Sequence, residues 1–561
     1  MLTIIANQFD RSFWKRHLFF LGTAIFTIFI VGYHYGTFDM AIHIPFLKAM
    51  ADPTLFPNDT YIALHSTYFS YFWYFFIPFE HIGHLPETLF TVHIISVYLT
   101  FWAVWEISAT LFHNPLASLF SVLAFIAPHI GFVGFPVIEF GVMSRTFVLP
   151  YLLFAINLFL QRRTVLAFLL AGLMYNLHVV TVNFVLAMFL LDCALEYKRI
   201  GIKNILLGLA TFVLAALPVL VWKANAGPVD FSLRAEWYDL LLRNMLNVFA
   251  LFSLHTYIIL ITFSGFSCLV LFQIAHRHLP NPAHEKTLQI FILAVFIILF
   301  GGQIMGIWLP ITILIQSQIN RAGIFLLIFA YICFSGYMAK RVQSGMEQES
   351  SSLLSLAFFL SPTPILPVLI LFFQKTVIMS RRTQFALALG IVALLGVIFL
   401  VALKLQIWSP KIEIYGEDSP WVDVQIWARL NTAKDAIFIT PPDEHGLYQS
   451  DWRVHSERST FVTYSEVLVA AFNPHYTDDW VDRFNEIAPG AMGNFDGDYF
   501  INTELTKEAY YRLSVADIEK LACTQKVSYI VMEKPHTLSF TLIYENQQFT
   551  VYDLRMKMCD Q

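Results

Sequence analysis

The chain has 561 residues, of which 57% are hydrophobic, 16% aromatic and only 13% charged, with a formal net charge of −5. Soluble domains carry about 25% charged residues, so a single water-soluble globule is excluded and most of this chain needs lipid as its solvent. The modest acidic balance leaves no basic footprint for nucleic acid.

In chain order, Arg11, Lys15 and Arg16 precede an apolar run over 17–36, roughly 20 residues and long enough to span a bilayer. No small-residue cleavage site follows, so the start reads as a signal anchor facing the cytoplasm. The next stretch, Thr37–Ser66, is TFDMAIHIPFLKAMADPTLFPNDTYIALHS. It puts Asp39 beside a membrane boundary, then an amphipathic helix over 41–50 suited to the membrane interface. The Pro-Asn-Asp turn that ends at Asp59 follows. Three apolar segments (68–82, 88–111 and 115–134) lie between this loop and Arg145, yet only an even number can cross. One of them is therefore expected to be short, re-entrant or peripheral.

Further spans are predicted near 145–160, 164–178, 179–195, 204–222, 254–274, 287–305, 310–334 and 384–405. Basic clusters at Lys15/Arg16, Arg162/Arg163, Lys198/Arg199/Lys203, His276/Arg277/His278, Lys340/Arg341 and Arg381/Arg382 should be cytoplasmic. Walking that alternation puts 37–66, Arg145, His178, 223–251 and the tail on the outer side. Leu353–Gln374 carries Pro362, Pro364 and Pro367 and reads as a broken hairpin that returns to the cytoplasm, or as a full crossing that would put the tail inside. The expected fold class is a polytopic α-helical membrane bundle of about 11 to 13 helices over 1–408, followed by a small soluble domain over 409–561.

That tail has ordinary soluble composition. Strands are predicted at 436–440, 460–463, 527–532 and 549–554, with helices at 421–431 and 514–524 and a turn at 544–546. Interleaved helices and strands predict an α/β or α+β domain. Cys193, Cys268 and Cys333 read as small core residues, whereas Cys523 and Cys559 can pair if the tail lies outside the cytoplasm.

The candidate functional residues all fall on the outer side. Asp39 can deprotonate an acceptor hydroxyl, or hold a cation, as a lipid phosphate departs, or it can simply cap the helix that begins there. Asp59 is a second acid, in ordinary turn chemistry. Arg145 can clamp phosphate oxygens, or snorkel to headgroups paired with Glu139. His178 lies near membrane depth, where an imidazole needs a partner or a function. Arg321 opens an apolar helix, and Arg234, Glu236, Asp239 and Arg243 populate another outer loop. Asn58-Asp59-Thr60 matches a glycosylation sequon, a frequent chance occurrence. No Walker A, GxSxG or HExxH sequence is present, the first loop carries no DxD pair, and no CxxC or His/Cys spacing suggests zinc.

With these residues in view, the chain resembles the GT-C superfamily of polytopic glycosyltransferases. The likeness rests on the acid-bearing first outer loop and on SRTFVLPYLLFAINLFLQRRTVLAFLLAGLMYNLHVV, with an Arg opening a helix, a basic turn and a closing His. It extends to WARLNTAKDAIFITPP, WRVHSERSTFVTY and YENQQFTVYDL in the tail. The resemblance implies a polyprenyl-phosphate sugar donor, an unidentified glycan, lipid or protein acceptor, and a bacterial plasma membrane location in the cell envelope. It implies Asp39 as the catalytic loop acid, with Arg145, His178, Arg321 and Glu139 near the lipid phosphate. No cofactor is expected, and without a DxD pair in the first loop a divalent cation has no support. The tail also lacks a WWDYG-type signature, which argues against oligosaccharyltransferase. The rival readings are a transporter or flippase for lipid-linked cargo and a non-catalytic envelope assembly protein. Transport predicts paired polar groups at mid-membrane and repeat symmetry, neither visible in the sequence.

Overall fold

A computed structural model describes residues 2–134, 136–245, 256–344, 348–376, 381–442 and 449–555. Among these, seven helices are long and apolar enough to cross a membrane: Phe13–Val31, Leu85–Phe112, Ile202–Asn225, Ile258–His278, Pro282–Gly306, Ile319–Gln343 and Arg382–Lys404. Four shorter apolar helices, Ser144–Leu160, Thr164–Tyr175, Val179–Leu195 and Ile365–Gln374, accompany them. The length and composition of these helices make the chain compatible with an integral membrane protein.

Contacts sort the chain into two ends. At one end Arg199 pairs with Asp192 at 2.9 Å and donates to the Ala283 carbonyl, His278 stacks on Tyr337, and Asn114 bonds Gln343. The basic clusters at 198–199, 276–278 and 340–341 therefore meet. At the opposite end the first long helix stops at Gly32, whose positive φ (+89°) turns the chain into a two-residue strand, β1 (Tyr33–His34). A Cβ at Gly32 would stand 2.3 Å from the Ser409 carbonyl oxygen, so only glycine lets these backbones approach. There β1 pairs in parallel with β2 (Ile412–Glu413), and His34 bonds Glu413 at 2.7 Å. The start of the first loop and the start of the tail are thus fastened together.

The three segments before Arg145 behave differently from one another. Leu85–Phe112 is a full-length helix. The 68–82 segment is short: Trp73–Phe76 is a 3-10 turn and Ile77–His81 a five-residue helix. Pro115–Leu123 is helical for nine residues, after which the described residues up to 143 form no helix. Such backbone survives inside a dry bundle only if its polar groups find partners. The turn between helices Gln348–Leu360 and Ile365–Thr376 supplies some: Ile130 N–H donates to the Pro362 carbonyl, and His129 Nδ1 to that of Ser361. The prolines of 362–367 therefore break this helix where the irregular segment needs acceptors.

Phe132 anchors that segment. A Cβ at Gly323 would lie 2.7 Å from Phe132 Cβ, and one at Gly265 would lie 2.2 Å from its ring. Gly323→Ala should cost roughly 1–3 kcal/mol by overpacking, read as a lower unfolding temperature in detergent. An unchanged temperature would show that the segment yields.

Two further expectations are corrected. The predicted span 310–334 is broken: Thr312–Gln316 is one short helix, Gln318 adopts a left-handed conformation (φ +43°), and helix Gly323–Gln343 starts afresh. The polar QSQIN sequence cannot continue an apolar span, and Gln316 instead donates to the Phe472 carbonyl of the tail. The helix over 41–50 is not a one-faced interfacial amphipath. Helix Asp39–Ala51 sends Met40, Ile44 and Leu47 into the bundle core and Ile42 and Phe46 into a second core shared with the tail. It is a wedge between the two.

The tail holds a five-stranded mixed sheet in the order β4-β3-β5-β7-β6, where β3 is Ile437–Ile439, β4 Ser459–Thr460, β5 Tyr529–Glu533, β6 Thr541–Glu545 and β7 Phe549–Asp553. The neighbours β4, β3 and β5 are parallel, and β7 is antiparallel to both β5 and β6. Along β5, Ile530 and Met532 enter the core shared with the first loop, while Tyr529 and Val531 face Trp421, Trp452 and Phe549. Helices Pro420–Asn431 and Val515–Thr524 lie close to their predicted ranges. Strand β6 occupies 541–545, where a turn had been expected to begin at 544. Cys523 is disulfide-bonded; Cys559, its expected partner, lies outside the described residues.

Candidate active site

Asp39 is the first residue of its helix, after Phe38 at φ +52°, and no side chain caps that helix. Its carboxylate turns instead to the guanidinium of Arg145, Oδ2 accepting from Nη1. Arg145 stands in the first turn of helix Ser144–Leu160, whose start is fixed by Thr146 accepting from Met143 N–H. Two other donors of Arg145 fork onto Glu139, with Nε to Oε1 at 2.9 Å and Nη2 to Oε2 at 2.6 Å. Such bidentate pairing fixes the guanidinium plane. The same guanidinium lies over the Phe38 ring, 5.7 Å from its centroid.

Around this triad the structure gathers other residues. His178 precedes helix Val179–Leu195, and its Nδ1 meets Ser144 Oγ at 3.0 Å. Arg321, in the 3-10 turn Ile319–Ala322, sits close enough for its charge to act on Asp39, Glu139, Arg145 and Tyr68. His43 lies one helical turn after Asp39, stacked on Trp73 (5.1 Å) and edge-on to Tyr68 (5.2 Å). Behind Glu139 lies a cavity of about 10 Å³ between His93, Ser96, Thr100 and Thr146.

Two guanidiniums therefore face two carboxylates in a site that is mostly closed. Burial works to raise the Asp39 carboxyl, but the charges of Arg145 and Arg321 outweigh it and hold the group below the usual carboxylate range. Asp39 is an anion throughout the neutral range. Burial has the opposite outcome at His43, pulling the imidazole down to about 4 despite the neighbouring Asp39. It is a neutral ring at pH 7.

Asp39, Glu139, Arg145, His178 and Arg321 thus converge, whereas Asp59 does not join them. Its Oδ1 accepts from the N–H groups of Tyr61 and Ile62, and its carboxylate receives Arg453 of the tail at 2.6 Å. Arg453, fully buried, also binds Glu466 at 2.7 Å and lies 4.6 Å over the Tyr61 ring. Asp59 is one jaw of a clamp between loop and tail. The loop arginines Arg234 and Arg243 form i,i+4 pairs with Asp230 and Asp239. Trp237 in that loop donates to Thr477, so this element docks under the tail.

The convergence also includes His43, Tyr68 and Ser144, which the sequence did not mark as site residues. For His43 a signal existed: it stands at i+4 from Asp39, on the same helical face. Tyr68 and Ser144 had none. Among the described residues no group of three or more His, Cys, Asp or Glu side chains could hold a metal ion.

Residues 419–487, which include helix Pro420–Asn431 and both β3 and β4, match a family model described as a domain of unknown function, DUF6798. No curated protein matches the chain.

Proposed function

We propose that the chain is a membrane glycosyltransferase that moves a sugar from a polyprenyl-phosphate donor to an acceptor hydroxyl at the outer membrane face. The observation that carries this reading is the convergence of Asp39 with Arg145 and Arg321 at one bundle end, under the tail. On the charge-bias reading of the loops, that end faces away from the cytoplasm, because the basic clusters gather at the other.

The donor enters laterally between helices, with its phosphate against Arg145 and Arg321. Two guanidiniums balanced by two carboxylates accommodate an added anion only when a carboxylate lets go. Glu139 grips Arg145 through two bonds and Asp39 through one. Phosphate therefore displaces Asp39, which swings free toward the acceptor, so donor binding readies the acid for its task. Asp39 then takes the acceptor proton or assists its loss electrostatically. The acceptor oxygen bonds to the sugar's anomeric carbon as the bond to phosphate oxygen breaks, and the arginines hold the charge left on phosphate. The tail covers the site and helps select the acceptor, and no metal is assigned a role.

Purified protein in liposomes is expected to consume one member of a panel of polyprenyl-phosphate hexoses. Arg321→Gln should lower kcat/KM about 10- to 100-fold, in line with the ~1.5–3 kcal/mol of a charge-assisted hydrogen bond. Movement of the lipid between leaflets without loss of its sugar would instead favour the transporter.

A further inference from the structure

We infer that His43 is the group that takes the proton of the acceptor hydroxyl, with Asp39 stabilising the imidazolium that results. The inference rests on the transfer reaction proposed above and divides its chemistry between two residues of one helix.

Three observations favour His43. Its Nδ1 is buried and meets no hydrogen-bond partner. That nitrogen is uncommitted and can take up a proton, as can His178 Nε2 in the same site. In contrast, Asp39 spends its carboxylate on Arg145 until donor phosphate displaces it, and it then serves as the counter-charge to the ring one helical turn away. Third, the ring is fixed in place, stacked on Trp73 with 24° between planes and set against Tyr68 at 87°. A base locked in orientation has its proton-transfer geometry settled before substrate arrives.

The electrostatics suit the same role. His43 is unprotonated at neutral pH, as a base must be, and burial is the cause. The charged and titratable groups that face it are Asp39 on its own helix, Arg145 on helix Ser144–Leu160, His178 before Val179–Leu195, and Tyr68. Only Asp39 favours the imidazolium. Once donor phosphate occupies the arginines, a second negative charge joins it and Arg145 no longer opposes protonation. The imidazole therefore becomes more basic when the donor is present, which couples proton removal to donor binding.

The step balances without a further reactant. The acceptor O–H bond breaks and its proton moves to the free His43 nitrogen. The acceptor oxygen bonds to the anomeric carbon while the carbon–oxygen bond to phosphate breaks with its electron pair. The imidazolium then returns its proton to the departing phosphate.

The test uses the full-length protein in liposomes with the panel of polyprenyl-phosphate hexoses, following sugar release to water or to added acceptor. His43→Gln should lower kcat about 100-fold or more with donor KM within about threefold, and should abolish the acidic limb of the kcat–pH profile. His43→Ala opens a ring-sized space beside Trp73, so added imidazole should restore turnover in part, increasingly so with more basic substituted imidazoles. The unfolding temperature of each variant separates chemistry from misfolding, and His43→Gln serves if the alanine variant does not fold. A His43→Gln protein with near wild-type kcat, or a folded His43→Ala protein that no imidazole restores, would overturn the assignment while leaving the transfer reading intact. Wild-type protein that consumes no member of the panel would overturn both.

Discussion

Asp39→Asn is expected to abolish transfer, lowering kcat by about 10²–10⁴-fold, while the protein folds and inserts normally. The substitution keeps the shape and removes the charge. Arg145 retains its two bonds to Glu139, so its guanidinium remains paired and oriented. What disappears is the anion that any positive charge on His43 would face one helical turn away. The two jobs are separable by kinetics: losing a charge made useful only in the transition state lowers kcat with little change in KM. Product formation and the unfolding temperature should be measured on the same preparation. An asparagine variant with near wild-type turnover and unchanged stability would remove Asp39 from the mechanism.

The largest effect on stability is expected at Arg453. Arg453→Met should destabilise the protein by about 3–5 kcal/mol, because it strands buried carboxylates that the guanidinium now neutralises. Those carboxylates come from both sides of a seam: Asp59 from the first loop, and Asp451 and Glu466 from the tail. Glu466 is further committed, accepting from Tyr476 at 2.5 Å. The expected phenotype is therefore loosening of the tail from the bundle, visible as a lower unfolding temperature and as new protease cleavage between 449 and 470. Asp59→Asn should reproduce part of it. A variant as stable as wild type would show that water reaches the stranded acids at little cost.

The contrast between Asp39 and Asp59 shows what the chain reveals unaided. Both are acids in one loop, and charge bias among the basic clusters put Asp39 on the face that also carries Arg145, His178 and Arg321. Their meeting could be anticipated because helices running between two ends return distant residues to the same plane. Asp59 could not be assigned in that way, since its partner Arg453 lies 394 positions later and nothing local marks the pair. The Asp39–Ala51 helix was misread for a related reason. Its apolar residues point in several directions, which suits a wedge with two partners, but the second partner is the tail. The irregular run after Leu123 was equally hidden, because a buried coil and a buried helix share the same apolar composition. Only the polar QSQIN stretch, read as part of a span, offered a visible warning of the break that sets Arg321.

The pairing of β1 with β2 has a consequence for biosynthesis. Tyr33 is made before all but the first of the seven described candidate spans, and Ile412 only after the last of them. Closure of so long a loop comes late in assembly, since its entropy cost must be met by contacts not yet available. The pocket around Asp39 is consequently unfinished during synthesis, and a nascent chain holds its acid and arginines without the cover that excludes water. On the proposed function, such a chain stays silent until the segment after 409 is delivered, and a chain that stops before it is inert rather than unregulated.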